Sequence, residues 1–215
     1  MNRLCSIYFN ANGSWTCPAG VTKVMLLGHA GGNGGGGGCT SVSSRPVGGA
    51  GTAPYLMEIT VVPNTTYTIT IGVGGIGATG VATTTAVAPV TGTSTSFGSL
   101  GVFTAQDGTS SSTSKLGYTL GGAANRTAGS YSPYVFTPSS SNGVTNTQLG
   151  GMAGGPGYFG SVAGSGGNGN AAGVGANGTN ATGYGAGGGA GGNGTSGGGN
   201  GGNGGNGQLW VIWVE

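Results

Sequence analysis

The sequence predicts an all-β protein in two unlike parts. One is a small β-sandwich-like core formed by N-terminal and C-terminal strands. The other is an inserted glycine-rich bundle of polyglycine-II type. Three observations lead there. Bulky apolar residues gather in short strand-like segments near both chain ends and in the first half. No segment shows a helical hydrophobic period, and the alanines sit among Gly, Thr and Val, which disfavour an amphipathic helix. Glycine supplies 56 of 215 residues, and residues 150–207 hold 29 glycines in 58 positions.

Residues 4–9 form the first candidate strand. Residues 21–27 (VTKVMLL) form the second, introduced by Trp15 and the turn Pro18-Ala-Gly20. Residues 55–62 (YLMEITVV) are the third. Residues 67–73 alternate, with Tyr67, Ile69, Ile71 and Val73 on one face and Thr68, Thr70 and Gly72 on the other. Pro63-Asn64-Thr65-Thr66 between them reads as a hairpin turn. Residues 97–103 are the fifth candidate, and 209–214 (LWVIWV) close the chain. A hydrophobic C-terminal strand must pair inside a sheet or become an aggregating edge. The early strands hold the other bulky residues, so the two chain ends are expected to meet. Trp15, Trp210 and Trp213 read as core residues, with a stacking role as the lesser reading. The expected layout is a single domain over residues 1–215. Segments 1–30, 55–75, 96–104 and 208–215 make the core; 31–54, 76–95 and 150–207 are glycine-rich insertions.

Residues 31–38 are seven glycines and Asn33, and Asn200-Gly-Gly-Asn203-Gly-Gly-Asn206-Gly repeats every three residues. Collagen needs imino acids, and residues 150–207 contain only Pro156. A flexible linker is one reading of such composition. The other is packed polyproline-II-type runs, which repeat every three residues at a rise of ~3.1 Å and make no internal hydrogen bonds. Their N–H and C=O groups bond to neighbouring runs, and only glycine admits neighbours on every side. The ordered bundle is favoured, because the C-terminal strand would otherwise close a floppy loop of roughly 180 residues.

Composition also narrows the chemistry. One His, one Asp and two Glu leave little general acid–base inventory. The five basic residues, Arg3, Lys23, Arg45, Lys115 and Arg126, are too scattered to track phosphates, so no nucleic-acid partner is expected. No apolar run approaches the ~20 residues of a membrane span, and the first residues do not form a secretory signal. Synthesis in a cytoplasm without membrane insertion is therefore expected. Cys5, Cys17 and Cys39 are odd in number and fit no zinc spacing. They read as buried, inert thiols. No metal and no cofactor are expected. A serine nucleophile would need His29 as base with Asp107 or Glu58 orienting it; His29 reads instead as a histidine at a strand end. No phosphate-loop lysine follows residues 31–38.

Four segments carry a resemblance. Phe9-Asn-Ala-Asn-Gly-Ser-Trp15-Thr-Cys-Pro18-Ala-Gly20-Val-Thr-Lys-Val24, followed by a strand and the glycines of 31–38, resembles the opening of the glycine-rich domain of bacteriophage tail-fibre and virion proteins. Pro63-Asn-Thr-Thr-Tyr67-Thr-Ile-Thr-Ile-Gly72-Val-Gly-Gly75, Gly92-Thr-Ser-Thr-Ser-Phe97-Gly-Ser-Leu100 and the closing run into Leu209-Trp-Val-Ile-Trp-Val214 follow in the same order. A looser similarity is to the tip adhesins of T-even-type phages. The resemblance implies a non-catalytic virion surface or tail-fibre protein that contributes to host-cell attachment through loops on a polyglycine scaffold. The alternative it implies is a structural virion component, such as a capsid decoration, head fibre or tail piece, without receptor binding. The implied partners are other virion proteins, a bacterial surface receptor (a glycan or an outer-membrane protein) and further copies of the chain, as in a trimer.

Bulky side chains cannot enter a glycine lattice, so those in glycine-rich stretches must protrude at its ends or cover its flanks. Tyr131, Tyr134, Phe136, Tyr158, Phe159 and Tyr184 are therefore the receptor-binding candidates. Capping the bundle or sealing a subunit contact is the other use such residues have. Asn168, Asn170, Asn177 and Asn180 are either glycan-bonding amides or turn formers.

Overall fold

The computed structural model describes residues 3–41, 44, 46–105, 118–120, 151 and 161–215. Among the described residues the secondary structure is β throughout, without a helix. In chain order the strands are β1 (Leu4–Phe9), β2 (Gly13–Thr16), β3 (Lys23–His29), β4 (Tyr55–Thr60), β5 (Thr66–Thr70), β6 (Thr95–Phe97), β7 (Gly101–Phe103), β8 (Tyr118–Leu120) and β9 (Gln208–Val214). The first sheet has the order β1-β9-β3-β4 and the second β2-β5-β6-β7-β8, every pairing antiparallel.

The chain ends meet as the sequence predicts. β9 lies inside the first sheet, from Leu4 opposite Val214 to Phe9 opposite Leu209 on one side, and from Met25 opposite Ile212 to His29 opposite Gln208 on the other. Arg3 and Glu215 extend this ladder by exchanging both backbone hydrogen bonds, at 2.7 and 2.9 Å. Alternation decides what each strand buries. Val24 and Leu26 of β3, Met57 and Ile59 of β4 and Leu209 and Val211 of β9 face the second sheet. There they meet Trp15, Ile69, Phe97 and Phe103. Each fully buried large side chain contributes about 1.5–3 kcal/mol. Trp15 bridges the sheets, with its ring 5.3 Å from Trp213 and 5.9 Å from Phe97.

Local pattern misleads in three places. Residues 97–103 are not one strand but the hairpin β6–β7, turned at Gly98 with φ 51°. Residues 67–73 alternate only as far as Ile71. Val73 is 59% exposed because the backbone leaves the sheet after Thr70. Trp210 is not a core residue. It lies on the outer face of the first sheet, because it alternates with Leu209 and Val211.

The glycine-rich runs form the lattice that polyglycine II requires. All eight N–H groups of residues 31–38 donate to other runs, cycling among three neighbours. Gly31, Gly34 and Gly37 donate to the carbonyls of Thr93, Val90 and Val87. Gly32, Gly35 and Gly38 donate to Gly205, Gly202 and Gly199, while Asn33 and Gly36 donate to Ala50 and Val47. Their carbonyls serve two more runs. Gly32, Gly35 and Gly38 accept from Gly75, Ala78 and Val81; Asn33, Gly36 and Cys39 accept from Gly188, Gly191 and Gly194. Residues 31–38 are thus an axial run with five neighbours.

Glycine is needed here for close approach. A Cβ on Gly35 would fall on the Gly189 carbonyl, and one on Gly201 would fall on the Gly35 carbonyl with Gly36 O at 2.9 Å. Both obstacles are backbone, which cannot swing aside. At Gly197 the nearest atom to an added Cβ is Val174 Cγ2 at 3.8 Å, an ordinary contact. Gly201→Val is therefore expected to lose more than about 3 kcal/mol or to fail to fold, whereas Gly197→Ala should stay within about 1 kcal/mol of the parent. Thermal melts of the two variants check this; equal melting temperatures would contradict the lattice.

Candidate functional site

Of the six aromatic candidates, Tyr131, Tyr134, Phe136, Tyr158 and Phe159 lie outside the described residues. Tyr184 lies within them, on the turn between two antiparallel lattice runs. Gly189 donates to Thr179 and Gly192 to Ala176, so the chain reverses at residues 183–185. Gly183 and Gly185 flank Tyr184 in the left-handed region, with φ 95° and 67°. A side chain at Gly185 would strike His29 and Thr52, and one at Gly183 would meet Ser161 Cα at 2.9 Å. The turn is therefore pressed against the end of β3, and Tyr184 is its only residue with a bulky side chain.

That side chain reaches the outer face of the first sheet. Its ring lies 6.3 Å from Tyr8 at 78°, and Tyr8 lies 4.6 Å from Trp210 at 36°. Cross-strand pairing explains the second contact, since Tyr8 stands directly opposite Trp210. Asn10 Nδ2 donates to the Tyr184 hydroxyl at 3.3 Å, and the Tyr8 hydroxyl donates to Gln208 Oε1 at 3.2 Å. Burial, then the contact with Tyr184, pushes the Tyr8 hydroxyl well above its usual range. The contact with Tyr8, then donation from Asn10, draws the Tyr184 hydroxyl down. The result is three rings with a rim of uncharged donors and acceptors. Tyr8 escaped the sequence reading, in which Trp210 is a core residue with stacking as its lesser role. The alternation of residues 4–9 held the signal for Tyr8, because it must face away from its core-packed neighbour Phe9.

The asparagines have a use that composition hides. Asn200, Asn203 and Asn206 turn their Oδ1 atoms to the N–H groups of Gly80, Gly77 and Gly74, at 2.9, 2.8 and 3.0 Å. Asn177 and Asn180 do the same for the N–H groups of Asn200 and Asn203, at 2.8 and 2.7 Å. Side-chain carbonyls thus complete the lattice at its surface, where no further backbone run stands. Asn170 closes a turn onto Ala172 N and Val174 O, and Asn168 supplies a backbone carbonyl to Ala176. Asn203→Ala should cost about 1 kcal/mol, read as a lower midpoint in a urea melt with an unchanged slope.

His29 sits at the seam between sheet and lattice and is 1% exposed. Its Nδ1 lies 3.1 Å from Ala30 O, while Nε2 has no partner among the described residues. Its neighbours Thr52, Thr95 and Gln208 are neutral. Glu58 instead bonds Lys23 at 2.9 Å, and Asp107 lies outside the described residues. Burial holds the imidazole below its ordinary value of 6.5. The native state therefore keeps it neutral, and the unfolded chain binds its proton first. Stability from this group is complete above pH ~6.5 and is lost as pH falls below it. A melting temperature that drops between about pH 6.5 and 5 in the parent, and much less in His29→Gln, is the expected outcome.

Cys5, Cys17 and Cys39 are free thiols, the last two buried. Burial pushes the Cys17 thiol up, which keeps it protonated and unreactive. A cleft of about 340 Å³ opens at the other end of the first sheet, between Leu4, Val21, Met25 and Trp213, beside the exposed Lys23–Glu58 pair.

A family model described as "Glycine-rich domain" matches residues 9–214, nearly the whole chain. The chain belongs to this glycine-rich domain family. The match spans both the sheets and the lattice, so the two parts are a single family unit. No curated protein matches the chain.

Proposed function

We propose that this glycine-rich domain is a phage virion surface protein, a tail-fibre component that contributes to host-cell attachment by binding, without catalysis. The observation that carries this reading is the lattice around residues 31–38. A run with all eight N–H groups bonded to its neighbours is a stiff support, and function concentrates on loops held by such supports. The four ordered segments that resemble phage tail-fibre proteins support the same reading. On it, the protein is made in the bacterial cytoplasm, is incorporated into the virion and assembles as a homo-oligomer such as a trimer. Its partners are other virion proteins and a bacterial surface receptor, either a glycan or an outer-membrane protein.

One observation favours the alternative of a structural virion component. The outer runs present Val73, Ile76, Val87 and Val90 to solvent, with Ile76 71% exposed. An apolar flank of that kind suits lateral packing against another virion protein. Adsorption of the purified protein to a panel of whole bacterial cells separates the two. Saturable binding to a narrow set of strains is expected. Failure to adsorb to any strain, including the phage's host, would leave the structural component.

A further inference from the structure

We propose that Tyr184, Tyr8, Trp210 and Asn10 form a binding site for a neutral saccharide at the seam between the first sheet and the lattice. This site rests on the attachment reading and gives it a ligand class. Four left-handed glycines occur among the described residues, and two of them flank Tyr184. Both are wedged against fixed neighbours, Gly183 against Ser161 and Gly185 against His29 and Thr52. The turn thus holds a single ring in a set place before any ligand arrives, which lowers the ordering cost of binding.

The rings make a corner. Tyr184 stands at 78° to Tyr8, and Tyr8 continues into Trp210 at 36°. Tyr8 is 39% exposed, and Tyr184 and Trp210 are half-buried. A sugar presents apolar C–H faces to aromatic rings and hydroxyls around its edge. The rim here matches that edge with the Asn10 amide and the Tyr8 and Tyr184 hydroxyls, and the buried Gln208 carbonyl behind them fixes Tyr8. Among the described residues, charge favours a neutral ligand here. The pairs Arg3–Glu215 and Lys23–Glu58 lie at the opposite end of the first sheet. Five residues of strand from Arg3 to Tyr8 put the first pair roughly 17 Å away.

The test titrates the purified full chain with neutral oligosaccharides of glucose, galactose, mannose and N-acetylglucosamine, followed by calorimetry and tryptophan fluorescence. Saturable binding of at least one is expected, weakened roughly tenfold or more by Tyr184→Ala or Tyr8→Ala and less by Tyr184→Phe. Should either alanine variant fail to fold, the exposed Asn10→Ala carries the same comparison. The absence of saturable binding, or binding that these changes leave intact, would overturn the site. Whole-cell adsorption with the same variants separates the two levels. Adsorption that survives Tyr184→Ala overturns the site and leaves attachment standing. Adsorption that needs Tyr184 but resists competition by every neutral sugar overturns the saccharide class in favour of a protein receptor. Tyr184-dependent sugar binding without adsorption to any cell keeps the site and removes the attachment role.

Discussion

Backbone packed on backbone with no Cβ between them is the contact on which the rest of this structure depends. Around residues 31–38 each N–H finds a carbonyl on another run, and almost every Cα that faces a neighbour is glycine. Ordering each glycine costs roughly 1 kcal/mol more than alanine, and each hydrogen bond contributes a net ~1 kcal/mol. The two terms nearly offset one another, so the lattice needs its ends held by something else. The sheets hold them. β3 runs directly into residues 31–38, β5 into the run that begins at Gly72, the run ending at Thr93 into β6, and the closing run into β9. Four lattice runs are thus clamped by strands whose burial supplies the favourable free energy.

The same constraint sorts the other residue types. Asparagine is admitted at every third position of residues 200–206 because its amide carbonyl replaces a missing backbone neighbour. A β-branched side chain fits only on the outer runs, as at Val73 and Ile76. Among the described residues no aromatic side chain enters the lattice interior, and Tyr184 shows the consequence. It occupies a turn, leaves the lattice, and packs on the outer face of the first sheet. Placing it there takes two left-handed glycines, a position that another residue would occupy only with strain.

This arrangement separates support from recognition. The lattice provides stiffness through uncharged backbone bonds that ionic strength does not screen, while any recognition must use side chains at its borders. The aromatic corner at Tyr8, Trp210 and Tyr184 is such a border. It lies beside the seam where His29 is buried. Packing at the seam therefore holds the turn that carries Tyr184 and couples the aromatic corner to the joint between sheet and lattice.

The sequence by itself determined the local elements. Residues 4–9, 55–62 and 209–214 read as strands from their bulky apolar residues, and the C-terminal strand as one that must pair with the early ones, while residues 31–38 stayed open between lattice and loop. Those features depend on period and steric size, which are local. Tertiary structure decided the rest. Alternation could not place Trp210 on the outer face until the partner sheet fixed which side of β9 was inside. It could not end β5 at Thr70, because the switch to three-fold bonding depends on residues 31–38 lying alongside. Nor could composition tell Asn170, which closes a turn, from Asn177 and Asn180, which brace a neighbouring run. Their difference lies in which backbone N–H comes within reach, and that is set by runs more than 20 residues away in the chain.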